Sequence, residues 1–195
     1  MDRLRSHNTV LQSPRLRLRP LTEDDWDVLL RWNNDPEVLH FSSTGADGQD
    51  VPGYLLEEVQ DIYRSVSEAA FCFMMEHAGQ PIGECWLQEM NVDRVLARHP
   101  DEKLFRIDIM IGEKALWGRG LGTEAIRLLT DFGFGEQAAD RIYACFVADY
   151  NPRSVAAFRK VGYEVAQVVP EPPGRKAQCT YDLCLAREQY LQRRT

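Results

Sequence analysis

The stretch Trp117-Gly118-Arg119-Gly120-Leu121-Gly122-Thr123 decides how the rest of the chain is read. It follows an apolar run at residues 104–111 that reads as a strand, and it opens a helical pattern at residues 123–134. A strand, a glycine-rich turn and a helix start together leave several backbone N–H groups pointing outward. Glycine has no Cβ to block a close approach, and the helix dipole adds partial positive charge at that end. Such a turn is an anion cradle, suited to the pyrophosphate of a nucleotide-containing cofactor. It is not the Walker pattern, because no Lys-Ser or Lys-Thr pair follows the glycines. Nor is it the dinucleotide fingerprint, because Gly118, Gly120 and Gly122 are evenly spaced. A turn that merely needs positive φ is the competing reading.

Upstream of the turn, residues 15–19 alternate with period two and read as a first strand, ended by Pro20. Thr22-x-x-Asp25 is a variant capping box before a helix carrying Trp26, Leu29, Leu30 and Trp32, which Asn33-Asn34-Asp35-Pro36 breaks. Residues 52–66 read as a second helix, and residues 70–75 and 82–87 as strands of a hairpin turning at Ala78-Gly79. Residues 90–103 are polar and read as a loop insertion. Downstream, a strand at 141–147, a helix at 152–161 and strands at 163–168 and 178–185 follow, the last two separated by a proline-rich loop. No internal repeat or linker interrupts the chain. The pattern predicts one α/β domain with a mixed sheet over residues 1–195, with residues 1–13 as a flexible N-terminal segment.

Bulk properties narrow the class of molecule. The chain is 44% hydrophobic and 27% charged over 195 residues, enough for one sizeable core. No apolar run reaches the length of a membrane span, and the arginine-dotted N-terminus lacks a signal-peptide core. Five scattered cysteines without Cys-x-x-Cys spacing argue against a disulfide framework or a zinc site. A reducing, cytoplasmic setting is therefore expected, with no metal and no membrane. A net charge of −7 repels nucleic acid and attracts cationic small molecules.

Several motifs then join into one pattern. Ile107-Asp108-Ile109-Met110-Ile111-Gly112-Glu113, residues 116–123, Asn151-Pro152-Arg153-Ser154 and Phe158-Arg159-Lys160-Val161-Gly162-Tyr163 together resemble the Gcn5-related N-acetyltransferase (GNAT) superfamily over residues 14–186. Two motifs in the right order are far more specific than either alone. The resemblance implies a GNAT fold: a mixed central sheet of six to seven strands flanked by about four helices. It also implies acetyl-CoA as co-substrate. Trp117 to Thr123 (Gly118, Arg119, Gly120, Leu121 and Gly122 between them) would hold the pyrophosphate. Ile109, Met110 and Ile111 would orient the thioester and pantetheine, with Asn151, Ser154 and Phe158 nearby.

Amide formation from a thioester needs an unprotonated amine held near the carbonyl, with somewhere for its proton to go. Asp108 interrupts an otherwise apolar strand just before the cradle, so it is the candidate base. The bland alternative is a structural aspartate paired with Arg106. Within the superfamily the chain is most similar to the aminoglycoside 6'-N-acetyltransferases, where an aspartate at this position contacts the substrate amine. Trp32 with Asp35-Pro36-Glu37-Val38-Leu39 and Phe41, and Gln80-Pro81-Ile82-Gly83, resemble segments of those enzymes. That resemblance implies a substrate pocket drawing on Trp32, Asp35, Phe41, Glu84, Asp108 and Asp149. The expected partner is a cationic small-molecule amine, met by a monomer or homodimer.

Two departures stand out. Phe158 occupies the place where the family motif usually has a tyrosine, so Tyr150, water or an unprotonated thiolate must serve at the leaving group. Phe146-Val147 stands where the drug-modifying relatives often carry Asp-Pro, with Asp149 close by. Cys145 has no histidine near it in sequence and reads as a small buried side chain rather than a nucleophile. Trp26, Trp32, Phe71 and Phe73 read as core, and Arg15, Arg17 and Arg19 as a solvated strand face. The expected activity is acetyl transfer to an aminoglycoside-type antibiotic, giving resistance. Acetylation of protein N-termini, or CoA binding without catalysis, are the alternatives.

Overall fold

A computed structural model describes residues 4–42 and 53–193. Its centre is an eight-stranded sheet in the order β1-β2-β3-β4-β5-β6-β8-β7. The strands are β1 (Leu11–Gln12), β2 (Arg17–Pro20), β3 (Ala70–His77), β4 (Gln80–Glu89), β5 (Leu104–Ile111), β6 (Arg141–Ala148), β7 (Glu164–Pro170) and β8 (Cys179–Ala186). Every neighbouring pair runs antiparallel except β5 and β6, so the sheet is mixed. Among the described residues there are seven α-helices: α1 (Trp26–Trp32), α2 (Pro36–Ser42), α3 (Leu56–Ser67), α4 (Asp93–Leu96), α5 (Leu121–Gly135), α6 (Pro152–Val161) and α7 (Arg187–Gln192).

The expected class is correct, and the element count is corrected upward. The two residues of β1, the four of α4 and the six of α7 are too short to print a period in the sequence. Asp35-Pro36, expected only to end a helix, also starts one. Pro36 takes the first position of α2, where a missing N–H costs nothing, and the Asp35 carboxylate accepts from Glu37 N at 3.0 Å. The segment expected to be flexible is fastened in part: Arg5 N donates to Ser67 Oγ at 2.9 Å, and β1 pairs with β2. Residues 90–103 also depart from a polar loop. Met90, Val92 and Val95 are buried against Leu104, Tyr143, Cys145 and Cys184. Arg15 and Arg17 are exposed, as expected of a solvated strand face, while pairing with Glu124 and Glu76; Arg19 departs from it, half-buried and bonding Asp25 at 2.6 Å and Glu76 at 2.7 Å.

Burial on both faces explains why β3 reads as an unbroken apolar run. Phe73 and Met75 join Leu87, Phe105 and Ile107 beneath α5, whose Leu121, Ala125, Ile126 and Leu129 are fully buried. Cys72 and Met74 point the other way, into a cluster with Trp26, Leu29, Trp32, Val59, Tyr63 and Met110 under α1 and α3. No helix among the described residues is long and apolar enough to cross a membrane.

One irregularity positions the site. The parallel pairing of β5 with β6 lasts only from Leu104↔Arg141 to Arg106↔Tyr143. Beyond it the register of β6 against β8 shifts between Ala144 and Val147, and Phe146 takes a left-handed φ of 58°. Such a bulge bends its strand. The two strands part, and among the described residues no strand lies beside the backbone of β5 from Ile107 onward on that edge.

Candidate active site

Two cavities meet at the parting of β5 and β6. The first, of about 310 Å³, lies between the outer half of β5, the glycine turn and α6. Gly118 and Gly120 have φ values of 76° and 81°, which side chains other than glycine rarely adopt, and Gly120 forms the N-cap of α5. The helix starts two residues earlier than its apolar pattern suggested, because left-handed Gly120 lets Leu121 drop into the core. The first helical hydrogen bond runs from Glu124 N to Gly120 O, so the N–H groups of Leu121, Gly122 and Thr123 precede it without a helical acceptor. A Cβ on Gly118 would meet no atom within 4 Å, which leaves room for a bulky anion against the turn.

Of the residues expected around a cofactor, Ile109, Met110, Ile111, Trp117, Gly118, Gly120, Gly122, Thr123, Asn151 and Ser154 line this cavity. Leu121 contributes only backbone, since its side chain is in the core, and Arg119 lies outside the lining. Phe158 is buried and lines the second cavity instead. Sequence reasoning missed Arg153 and Lys160, both within its quoted motifs. The Arg153 guanidinium sits 4.5 Å from the ring centroids of both Phe41 and Trp117, tying α6 to α2 and the turn. Trp117 Nε1 donates to Ile111 O at 2.8 Å and holds the turn against the end of β5. Asn151 caps α6 by accepting from Ser154 N.

The second cavity, of about 480 Å³, has the α3-facing side of β4 and β5 as its floor. Cross-strand register sets Glu84 opposite Met110 and Trp86 opposite Asp108, so both carboxyl groups share one face. A Cβ on Gly83 would lie 2.2 Å from Met110 O, so glycine lets β4 close on β5 beside Glu84. Ile62 and Tyr63 of α3, Phe41 of α2 and residues of the β6 bulge form walls, with Glu171, Arg175 and Lys176 from the β7–β8 connection.

Asp108 is held by three donors. Arg106 Nη2 reaches Oδ1 at 2.6 Å, Arg106 Nε reaches Oδ2 at 2.8 Å, and Trp86 Nε1 reaches Oδ2 at 3.1 Å. Burial and the Asp108 carboxylate act in opposite directions on Arg106, whose pKa ends raised. The pairing weighed as the bland alternative is therefore present. A carboxylate has about four lone-pair sites, so Asp108 keeps one on Oδ1 for a further donor.

Glu84 contrasts with it. It is 4% exposed, its carboxyl interacts with the Tyr63 hydroxyl, and its buried Oε2 has no hydrogen-bond partner among the described residues. Burial first, and then the charge of Asp108, push its pKa well above the usual carboxylate range. Cys145 lines the same cavity, but burial pushes its thiol up to about 12, which suits a packed side chain rather than a nucleophile.

The remaining expected substrate residues scatter. Phe41 lines both cavities. Trp32 is core, with Nε1 donating to Glu113 at 3.0 Å. Asp35 lines neither cavity and bonds Lys114 at 2.8 Å, which lowers its pKa. Asp149 accepts from Gln178 N at 3.2 Å and so braces the β7–β8 connection. Tyr150 lines the second cavity at the end of β6. Phe146 also lines it, nearly half exposed, with the guanidinium carbons of Arg94 and Arg106 at 4.5 and 5.7 Å from its ring centroid.

The family model described as "Acetyltransferase (GNAT) domain" matches residues 15–164. An aminoglycoside N(6')-acetyltransferase type 1 from Klebsiella pneumoniae is 24% identical over 162 residues, spanning 80% of this chain and 78% of that protein. Among solved structures, the aminoglycoside acetyltransferase AAC(6')-Ib in complex with coenzyme A and kanamycin superposes with a TM-score of 0.71 at 20% identity, covering 92% of this chain and 99% of that one. The spermidine N-acetyltransferase from Vibrio cholerae, in complex with CoA and spermine, gives 0.72 at 22% identity with the same coverage.

Proposed function

The chain belongs to the GNAT acetyltransferase family and is an N-acetyltransferase; we propose that it transfers the acetyl group of acetyl-CoA to an amine of an aminoglycoside-type acceptor. The observation that carries this reading is the junction of the two cavities at Met110. A backbone-lined anion cradle lies on one side of it, and a pocket holding Glu84 and Asp108 on the other. The glycine turn, the unpaired N–H groups at the start of α5 and the open edge of β5 fit a pyrophosphate and an extended pantetheine arm. Acetyl-CoA supplies the activated acyl group; the chain binds, orients and manages protons.

The acceptor ammonium enters the second cavity and donates to the remaining lone-pair site of Asp108, which Arg106 and Trp86 hold in place. That contact sets the nitrogen beside Met110, next to the strand edge where the thioester lies. Direct attack needs no covalent enzyme intermediate, in keeping with the raised thiol pKa of Cys145. Acetylation removes one positive charge and one hydrogen-bond donor from the acceptor, and loss of those groups underlies the proposed resistance. The aminoglycoside assignment draws on the Klebsiella pneumoniae relative and on the carboxyl groups in the pocket.

Thiol release from acetyl-CoA tests this with kanamycin, kasugamycin, spermidine and a peptide with a free N-terminus. Turnover of an aminoglycoside, followed by a higher inhibitory concentration in cells expressing the protein, is the expected result. Turnover of spermidine alone moves the enzyme to polyamines, and turnover of the peptide alone to protein N-termini. Arg175 and Lys176, which bring positive charge to one wall of the pocket, are the observation that keeps a mixed-charge acceptor such as a peptide in the panel.

A further inference from the structure

We infer that Glu84, and not Asp108, is the proton acceptor of the reaction, with Asp108 as the anchor for the acceptor nitrogen. The inference rests on the acceptor-pocket reading above and adds a catalytic residue to it. Both carboxyl groups lie on the same face of neighbouring strands, Glu84 directly across from Met110. Their surroundings separate their roles. Asp108 already accepts from three donors that fix its position. Glu84 holds a buried oxygen, Oε2, with no donor among the described residues, in a cavity whose floor it forms. A buried polar atom left without a partner costs free energy unless a ligand or a proton satisfies it. In a pocket for an amine, the ligand's own N–H is the natural partner.

The groups around Glu84 favour a carboxyl that holds a proton. Tyr63 of α3 faces it, as do Cys72 of β3 and Asp108 of β5, and Cys85 is adjacent on its own strand. Arg106 is taken by Asp108, while Cys145, Glu171, Arg175 and Lys176 line other parts of the same cavity. No cation among the described residues pairs directly with Glu84, and burial raises its pKa, as catalytic carboxyls are tuned upward toward neutrality.

When the ammonium enters and pairs with the Asp108–Glu84 face, Glu84 gives up its proton to bulk water. Its carboxylate then takes one N–H proton from the ammonium. The freed lone pair forms the C–N bond to the acetyl carbon. The C–S bond breaks with its electron pair going to sulfur, and a second N–H proton passes through solvent to that thiolate. Glu84 ends protonated, as it began, and one proton has been released per turnover.

The test uses the full-length protein with two conservative substitutions, Glu84→Gln and Asp108→Asn, both checked for native circular dichroism. Infrared difference spectra of the protein alone are recorded first. A carbonyl stretch from a protonated carboxylic acid at neutral pH, present in the parent and in Asp108→Asn and missing in Glu84→Gln, is the expected result. Its absence from the parent overturns the inference. The second arm measures kcat and KM against pH with any amine the parent acetylates. Glu84→Gln is expected to lower kcat about a hundredfold and to abolish the acidic limb of the profile, with KM nearly unchanged. Asp108→Asn is expected to keep that limb while raising the acceptor KM. An undiminished kcat in Glu84→Gln, or loss of the limb only in Asp108→Asn, overturns the inference while leaving the acetyltransferase reading intact. If the parent acetylates no amine of the panel, the functional reading fails, and the base role fails with it.

Discussion

The cleft at the glycine turn and the pocket holding Glu84 and Asp108 share a border at Phe41, Ile109, Met110, Asn151 and Ser154, yet they are made of different material. The cleft is built largely from main chain: a glycine turn, the first N–H groups of a helix and the open edge of a strand. The pocket is built from side chains on four strands, three helices and a connection, each oriented by contacts distant in sequence. Main-chain chemistry leaves a contiguous trace in a sequence, because only certain residues permit the backbone geometry. Side-chain constellations leave only scattered letters. The first region is accordingly suited to a constant ligand, and the second to one that varies.

Substitutions that act on one region alone test this division. The largest effect is expected from Gly120→Val, which forces a β-branched residue into a φ of 81° at the start of α5. Strain of about 2 kcal/mol should weaken CoA binding roughly thirtyfold by calorimetry, while the acceptor KM at saturating acetyl-CoA stays within about twofold. Equal damage to both constants would merge the two regions into one.

Next in size is Arg106→Met, which leaves Asp108 without its bidentate partner. The Asp108 side chain is 26% exposed, so the penalty falls below that of a fully buried pair. Urea unfolding should register a loss of about 2 kcal/mol, the acceptor KM should rise, and CoA affinity should hold. A change in CoA affinity instead would place Arg106 on the wrong side of the division.

Phe146 separates backbone strain from ring contacts. A left-handed phenylalanine costs about 1 kcal/mol, and the flanking guanidinium contacts return a similar amount. Phe146→Gly should therefore unfold within about 0.5 kcal/mol of the parent. Phe146→Ala, which keeps the strain and loses the ring, should be less stable by about 1 kcal/mol. Equal stabilities for the two variants would remove strain from the account.

The smallest effect concerns Asp35, outside both cavities. Its folded pKa lies below the ordinary 3.8 through the hydrogen bond from Lys114, so the stability it contributes is present above that value and lost as pH falls through the folded pKa. Replacing Asp35 by Asn should flatten acid unfolding below about pH 4 and leave both kinetic constants unchanged.

The division also describes what could be read from the sequence. The glycine turn, the bounds of α6 and the positions of the main strands along the chain were visible because glycine, N-cap and alternation patterns are local, whereas the order of the strands in the sheet is not a local property. The pairing of Arg106 with Asp108 was legible as an option, since the two residues share a strand face. The difference between Asp108 and Glu84 was not. Alternation along β4 tells which face a residue takes, not that α3 lies over that face and closes it. Trp32 and Asp35 matched a motif but not a location, because the α1–α2 corner turns one into the core and the other onto Lys114. The apolar residues of the 90–103 insertion went unnoticed because they are spaced among charges and cover a patch formed by three other strands.

That insertion reaches further than its own cluster. Asn91 accepts from Arg106, Arg94 holds Asp182 at 2.8 Å and covers the Phe146 ring, and Asp182 in turn accepts from Phe146 N. A short segment that lines neither cavity thus splints both strands at the point where they diverge. Selection for a new acceptor then has a place to act that touches no ligand. Changes in this outrigger would tilt the floor of the pocket while leaving the glycine turn as it is, so the two regions are free to be tuned apart.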